Sequence, residues 1–274
     1  MITEPFMQRA FLAALLLAPL CGLLGVFVTA RKMAFFSDTI AHGAIAGIAM
    51  GLWVGFSDLT IPMIIFSFAV AASVLWLKQN TELLNDTIMA LLLSGSVAVG
   101  ILVLSVLKGH RREINSYLFG DILAVETMDV WLATGLFAIG CVILFSKLNA
   151  FTLITAHEDM AHVAGIRVRG LNLLFIMLLT VTVAVSIRLL GIILVTSLLV
   201  IPAASARNIS RNLRQQLIGS FAIGIIGGIG GILLSYELDV PCGPAIVLVC
   251  IGCFALSMVL GRFRITSRVL TLSR

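Results

Sequence analysis

Two ionisable side chains, Asp38 and His42, lie inside a hydrophobic segment, in the stretch FSDTIAHG. On an α-helix this spacing places both on one face, about 6 Å apart along the axis. Ionisable groups within a membrane are costly and therefore mark pathways and binding sites. A carboxylate beside an imidazole is also a common half-site for a divalent transition metal. We expect a metal site at these two residues; a hydrogen-bonded pair that orients helices is the structural alternative.

The composition is that of a membrane protein. The chain has 274 residues, of which 60% are hydrophobic and 11% are charged, whereas soluble proteins have about 25% charged residues. No segment is polar enough for a separate soluble module, so residues 1–274 are expected to form one integral membrane domain. The net charge of +5 fits basic loops beside anionic lipid. No basic and aromatic pattern indicates a nucleic-acid partner.

The hydrophobic segments predict an all-α, polytopic transmembrane bundle of about nine spans. Each span is a window of about twenty apolar residues. The sixth and seventh windows are short and adjoin at Arg188, so eight spans are also possible. The nine windows are 10–30, 36–56, 59–77, 86–107, 128–146, 171–187, 189–206, 217–235 and 244–261.

The distribution of basic residues predicts the orientation of the bundle. With nine spans and a cytoplasmic C-terminus, thirteen of the 18 lysine and arginine residues fall on the cytoplasmic side and five on the outer side. Positive charge accumulates in cytoplasmic loops. We therefore expect the N-terminus outside and the C-terminus in the cytoplasm.

Four glycines recur every fourth residue in the second span, at Gly43, Gly47, Gly51 and Gly55. Small residues at this spacing allow two helices to approach closely. The helix that carries His42 is therefore expected in the interior of the bundle.

The inner loop over residues 149–170 is predicted to hold a helix of about two turns. Thr155 and Glu158 have the spacing of a capping box, and Gly165 can end the helix. An exposed apolar face on such a helix suits docking into a groove of a partner protein. That face would consist of Ala156, Met160, Val163 and Ala164.

The chain lacks the sequence of an ATP-binding loop. Such a loop requires a lysine directly after a glycine, and none of the four lysines follows one. Any ATP hydrolysis that drives transport must come from another chain, so we expect a transport subunit rather than an enzyme.

The outer loop over residues 108–129 contains a segment too apolar for a solvated loop and too short to cross a membrane. A gate at the outer face and an interfacial helix with belt aromatics are equally compatible with it. The gate candidates are Tyr117, Leu118, Phe119, Gly120 and Asp121.

Asp38 and His42 of one chain supply too few ligands for a complete metal site. Zn²⁺ requires about four ligands and Mn²⁺ about six. A two-fold dimer would bring a second pair across its axis and supply two oxygens and two nitrogens. This set suits transient binding of Zn²⁺ as cargo, because an ion bound too tightly is not released.

Five stretches of the sequence resemble the permease subunits of zinc and manganese ABC importers. They are RKMAFFSDTIAHGAIAGIAMG, INSYLFGDILAV, HEDMAHVAGI, GIILVTSLLVIPAASAR and DVPCGPAIVL. The resemblance implies the fold of type II ABC importer permeases. It also implies a homodimer, two cytoplasmic ATP-binding subunits, an extracytoplasmic metal-binding protein and a bacterial inner membrane.

The resemblance also assigns roles to individual residues. By motif position, Asp38 and His42 match the family's pore ligands, and the segment around Tyr117 matches the region near the outer gate. The stretch AIAGI after His42 lacks a proline found in many manganese permeases, which favours Zn²⁺ over Mn²⁺ or Fe²⁺. The stretch HEDMAHVAGI matches the coupling helix, with Glu158, Asp159, Met160, Ala161 and Gly165 as coupling residues.

Two other functions are compatible with the polar pair alone. A secondary transporter could relay protons through Asp38 and His42. An intramembrane metalloenzyme ranks last, because the sequence contains no His-Glu-x-x-His motif.

Overall fold

The computed structural model describes residues 5–56, 58–106 and 125–272, with side chains placed between residues 8 and 261 of these ranges. Within these ranges every regular element is an α-helix. In chain order the helices are α1 (Pro5–Ala30), α2 (Phe36–Val54), α3 (Thr60–Asn80), α4 (Asn85–Val106), α5 (Thr127–Ser146), α6 (Leu148–Ala156), α7 (Glu158–Val163), α8 (Val168–Leu190), α9 (Ile192–Ile209), α10 (Leu213–Leu238) and α11 (Cys242–Leu272).

The prediction of an all-α transmembrane bundle is confirmed. In the described part of the chain, eight helices are long and apolar enough to cross a membrane, namely α1, α3, α4, α5, α8, α9, α10 and α11. The predicted second span corresponds to α2, a 19-residue helix outside this set, because its polar residues lower its mean hydropathy. The sixth and seventh spans are separate helices, α8 and α9, divided at Gly191 with φ +83°.

Helix α1 forms the centre of the bundle. It packs against α5, α8, α9 and α10. Most of its residues are buried, and the helix is apolar on all sides, as a largely enclosed helix must be. Close approach requires glycine at two positions: a methyl group at Gly25 would collide with the Leu199 carbonyl, and one at Gly22 with that of Ser220. The Ser220 hydroxyl donates a 2.6 Å hydrogen bond to the Gly22 carbonyl.

Helix α2 lies against α3 and α4 and also reaches α8 and α9. The close approach predicted from its glycine spacing is confirmed. A Cβ atom at Gly43 would collide with Val70, and one at Gly51 with Pro62. Gly55 instead ends the helix in the left-handed region, with φ +86°. The glycine face of α2 is therefore packed against α3, and Asp38 and His42 lie on a different face.

The predicted capping box at Thr155 is wrong. The preceding helix, α6, continues to Ala156, which places Thr155 inside its last turn. There the Thr155 hydroxyl donates to the Phe151 carbonyl at 2.6 Å and accepts from Arg31 Nε at 3.0 Å. The surface helix α7 is therefore only six residues long and begins at Glu158, without a side-chain cap.

Candidate metal pathway and coupling surface

The two candidate metal ligands lie on one narrow accessible stripe of α2. Between residues 36 and 49, the side chains that are partly accessible are Asp38, His42 and Ile45, and all others there are buried. These three occupy one helix face at spacings of four and three residues. The stripe is thus the face of α2 that is open at the surface of the single chain, and it carries both ionisable groups of the helix.

The structure adds a third polar group, Thr196, to the predicted pair. Its hydroxyl donates to the Ile193 carbonyl at 3.3 Å. The Thr196 hydroxyl and the His42 imidazole both lie near enough to the Asp38 carboxylate to stabilise its charged form. Thr196 belongs to the second turn of α9. Sequence reasoning missed it, although a Thr-Ser pair within the apolar stretch ILVTSLLV was a usable signal.

The described residues of one chain provide few metal ligands at this position. Within residues 8–56, 58–106 and 125–261, no group of three or more histidine, cysteine, aspartate or glutamate side chains is arranged to hold a metal ion. Asp38 and His42 therefore offer one oxygen donor group and one nitrogen, with the Thr196 hydroxyl nearby. This is fewer than the four ligands that Zn²⁺ takes in closed sites.

The predicted coupling residues lie at one end of the bundle, on and around α7. Ala161 is fully buried, against Ile154 and Val168, and anchors α7 to the bundle. Glu158, Asp159 and Met160 are exposed, and Val163 is 91% exposed. The helix thus presents apolar and acidic side chains to the outside while one small residue holds it in place.

Gly165 ends α7 as the sequence predicts. Its φ is +74°, a conformation that strongly favours glycine. The Gly165 and Ile166 amides donate 3.0 Å hydrogen bonds to the carbonyls of His162 and Ala161, respectively. These two bonds form a Schellman motif, which fixes the end of this short helix.

Arg31 connects the ends of several helices beneath α7. Its Nε donates to Thr155 and its Nη1 donates to the Asn172 Oδ1, both at 3.0 Å. The guanidinium carbon lies 4.5 Å from the centre of the Phe175 ring, in the geometry of a cation–π contact. Burial lowers the pKa of the guanidinium to about 10, against the attraction of Glu158, which raises it. Arg31 therefore remains charged at neutral pH.

At the opposite end of the bundle, an ion pair joins α5 to α8. Arg188 Nη2 lies 3.4 Å from Asp129 Oδ1, and the aspartate side chain is almost fully buried. Asp129 also accepts a hydrogen bond from the Glu126 amide in a capping box. The predicted outer-gate residues 117–121 lie outside the described residues.

The sequence matches a known family over most of its length. The profile described as the ABC 3 transport family covers residues 3–261. The chain belongs to the ABC 3 transport family. The family predicted from the five sequence stretches is thereby confirmed, and the ATP-driven interpretation is favoured over the proton-driven and metalloenzyme alternatives.

Relatives in the ABC 3 family carry metal-transport names. The chain is 31% identical over 253 residues to the "High-affinity zinc uptake system membrane protein ZnuB" of Haemophilus influenzae, covering 91% of this chain and 95% of that protein. It is also 31% identical over 259 residues to the "Manganese transport system membrane protein MntC" of Halalkalibacterium halodurans, covering 94% and 88%.

A solved structure shares the fold. The structure titled "PsaBC from Streptococcus pneumoniae in complex with Fab" superposes with a TM-score of 0.80 at 27% identity, covering 93% of this chain and 91% of that one. The chain is therefore a multi-pass membrane permease of the ABC 3 family, and it shares its fold with this solved structure.

Proposed function

We propose that this chain is the permease subunit of an ATP-binding-cassette importer that carries a divalent transition metal across the bacterial inner membrane. Residues 1–274 act as one membrane domain. The observation that carries the proposal is the accessible stripe of α2, which presents Asp38 and His42 together beside Thr196 in a chain similar to zinc and manganese permeases. We propose Zn²⁺ as the favoured cargo, with Mn²⁺ and Fe²⁺ as alternatives.

The metal passes between two copies of the chain. In the proposed homodimer, the α2 stripes face each other across the two-fold axis and supply two carboxylates and two imidazoles. The partial accessibility of Asp38 and His42 in the single chain supports this arrangement, because a self-contained site would enclose its ligands. The ion pauses there as cargo and then moves on.

Two cytoplasmic ATP-binding subunits supply the energy through α7. The exposed side chains of Glu158, Asp159, Met160 and Val163 dock on these subunits, while Ala161 transmits their movement to the bundle through its buried contacts. Binding and hydrolysis of ATP then switch the side on which the pathway opens.

The end that carries α7 faces the cytoplasm, with the N-terminus outside and the C-terminus inside. Basic residues of three separate segments, Arg31, Lys78 and Arg169, line one cavity at this end together with Glu158. This concentration of positive charge is typical of a cytoplasmic face. An extracytoplasmic metal-binding protein delivers the ion at the opposite end, and residues 117–121 stay the candidates for the outer gate.

The test is uptake of radioactive zinc by vesicles that contain the full complex. Asp38→Asn and His42→Gln keep the size of each side chain but change its ability to bind Zn²⁺, and both should reduce uptake at least tenfold. Asp58→Asn is the matched control, since Asp58 is an exposed carboxylate in the loop after α2. Normal uptake by the His42→Gln complex, or equal loss in the Asp58→Asn complex, contradicts the proposed pathway.

A further inference from the structure

An amphipathic recess lies at the end of the bundle that carries α7, away from the α2 stripe. Two cavities form it, with volumes of about 840 Å³ and 340 Å³. They adjoin each other, because Thr152 and Leu213 belong to the walls of both. Each volume is within the range typical of small-molecule sites, about 300–1,000 Å³.

The larger cavity is an apolar groove between α5 and α10. Both helices pack against α1, whose residue Leu23 forms the floor of the groove. Phe137 and Phe145 line one wall and Ile218 and Phe221 the other. Phe145 and Ile218 are more than half exposed, so the groove opens sideways from two membrane-spanning helices. In a membrane, a groove that opens sideways between spanning helices meets the hydrocarbon chains of lipid.

The other end of the recess is polar and positively charged. Arg214, in the first turn of α10, lines the mouth of the groove. Arg207, in the last turn of α9, lines the smaller cavity together with Gln216. Neither wall contains a carboxylate. The recess thus joins an apolar groove to two cations and neutral donors, a combination complementary to an acyl chain that ends in a phosphate.

We propose that this recess binds one anionic phospholipid of the cytoplasmic leaflet. One acyl chain lies in the groove over Leu23, and the phosphate lies between Arg207 and Arg214. Arginine binds phosphate well because its planar group donates two parallel hydrogen bonds. Basic pockets between spanning helices on the cytoplasmic side are recognised sites for anionic headgroups. The choice of the cytoplasmic leaflet rests on the proposed orientation of the bundle, but the proposal is independent of the cargo and of the α2 stripe.

The test is native mass spectrometry of the purified full complex, titrated separately with dioleoylphosphatidylglycerol and with dioleoylphosphatidylcholine. One phosphatidylglycerol per chain should bind with clear preference. Arg207→Gln and Arg214→Gln should each weaken that binding by about fivefold, and the double variant by about 25-fold. Arg211→Gln is the matched control, because Arg211 lies in the loop between α9 and α10 and lines neither cavity.

A second variant tests the groove separately from the arginines. Ile218→Trp fills the groove from an exposed position and should expel phosphatidylglycerol with both arginines intact. Equal binding of the two lipids, an equal loss with Arg211→Gln, or full binding by Ile218→Trp overturns the proposal. Displacement by millimolar inorganic phosphate also overturns it, because the site then recognises a free anion. Binding seen only after the ATP-binding subunits are removed overturns it too, because a protein segment then fills the recess.

Discussion

Gly165→Ala is expected to destabilise α7 without disturbing the rest of the bundle. Gly165 has φ +74°, and an added Cβ atom would meet nothing within 4 Å. The cost is therefore conformational alone, about 1–2 kcal/mol for an L-residue in the left-handed region. A cost of this size lowers the ratio of folded to locally unfolded α7 by about 5- to 30-fold. Because α7 is only six residues long, it has few other interactions to offset the loss.

Hydrogen–deuterium exchange on the purified complex measures this local unfolding of α7 directly. The amides of Gly165 and Ile166 donate to the last turn of α7, so they should exchange about 5- to 30-fold faster in the Gly165→Ala protein. Metal-dependent ATP hydrolysis should be slower in the Gly165→Ala complex than in the wild-type complex, because the proposed coupling passes through α7.

Gly170→Ala is the matched control for this experiment. Gly170 also has open space around a built Cβ atom, but it lies in the first turn of α8. Alanine stabilises a helical position by up to about 1 kcal/mol, so exchange in α7 should stay unchanged. Equal exchange in the wild-type and Gly165→Ala proteins would refute the role of the left-handed glycine, as would faster exchange in α7 of the Gly170→Ala protein.

Two further substitutions test the packing around α1. Arg31→Lys retains the charge but loses the planar guanidinium group that donates to two side chains. The free energy of unfolding, measured by thermal denaturation, should therefore fall by about 1–3 kcal/mol. An unchanged melting temperature would contradict this role. Gly25→Ala should prevent stable folding, because the new methyl group collides with the Leu199 carbonyl. Gly135→Ala, at an open position, should express normally, and a normal yield of the Gly25→Ala protein would show that the approach of α1 to α9 is not required.

Local sequence patterns predicted the features that depend on neighbouring residues. Runs of apolar residues identify the spans because a membrane requires about twenty of them in a row. Gly165 was predictable as a helix end because a left-handed cap favours glycine through its own backbone. The glycines of α2 predicted close packing because their spacing places them on one face.

Features that depend on distant contacts were not predictable in the same way. Thr155 has the spacing of a helix cap, but α6 continues past it. Its hydroxyl instead donates to the Phe151 carbonyl and accepts from Arg31. Thr196 lies beside Asp38 only because α9 packs near α2.

The stoichiometry and ligands of bound zinc test the central claim most directly. Purified complex, loaded with Zn²⁺ and studied by metal analysis and X-ray absorption spectroscopy, should contain one zinc per two permease chains with mixed nitrogen and oxygen coordination. The nitrogen contribution should disappear in the His42→Ala complex, together with the bound zinc. One zinc per chain, or the same spectrum and zinc content in the His42→Ala complex, would contradict a pathway formed by paired Asp38 and His42 residues.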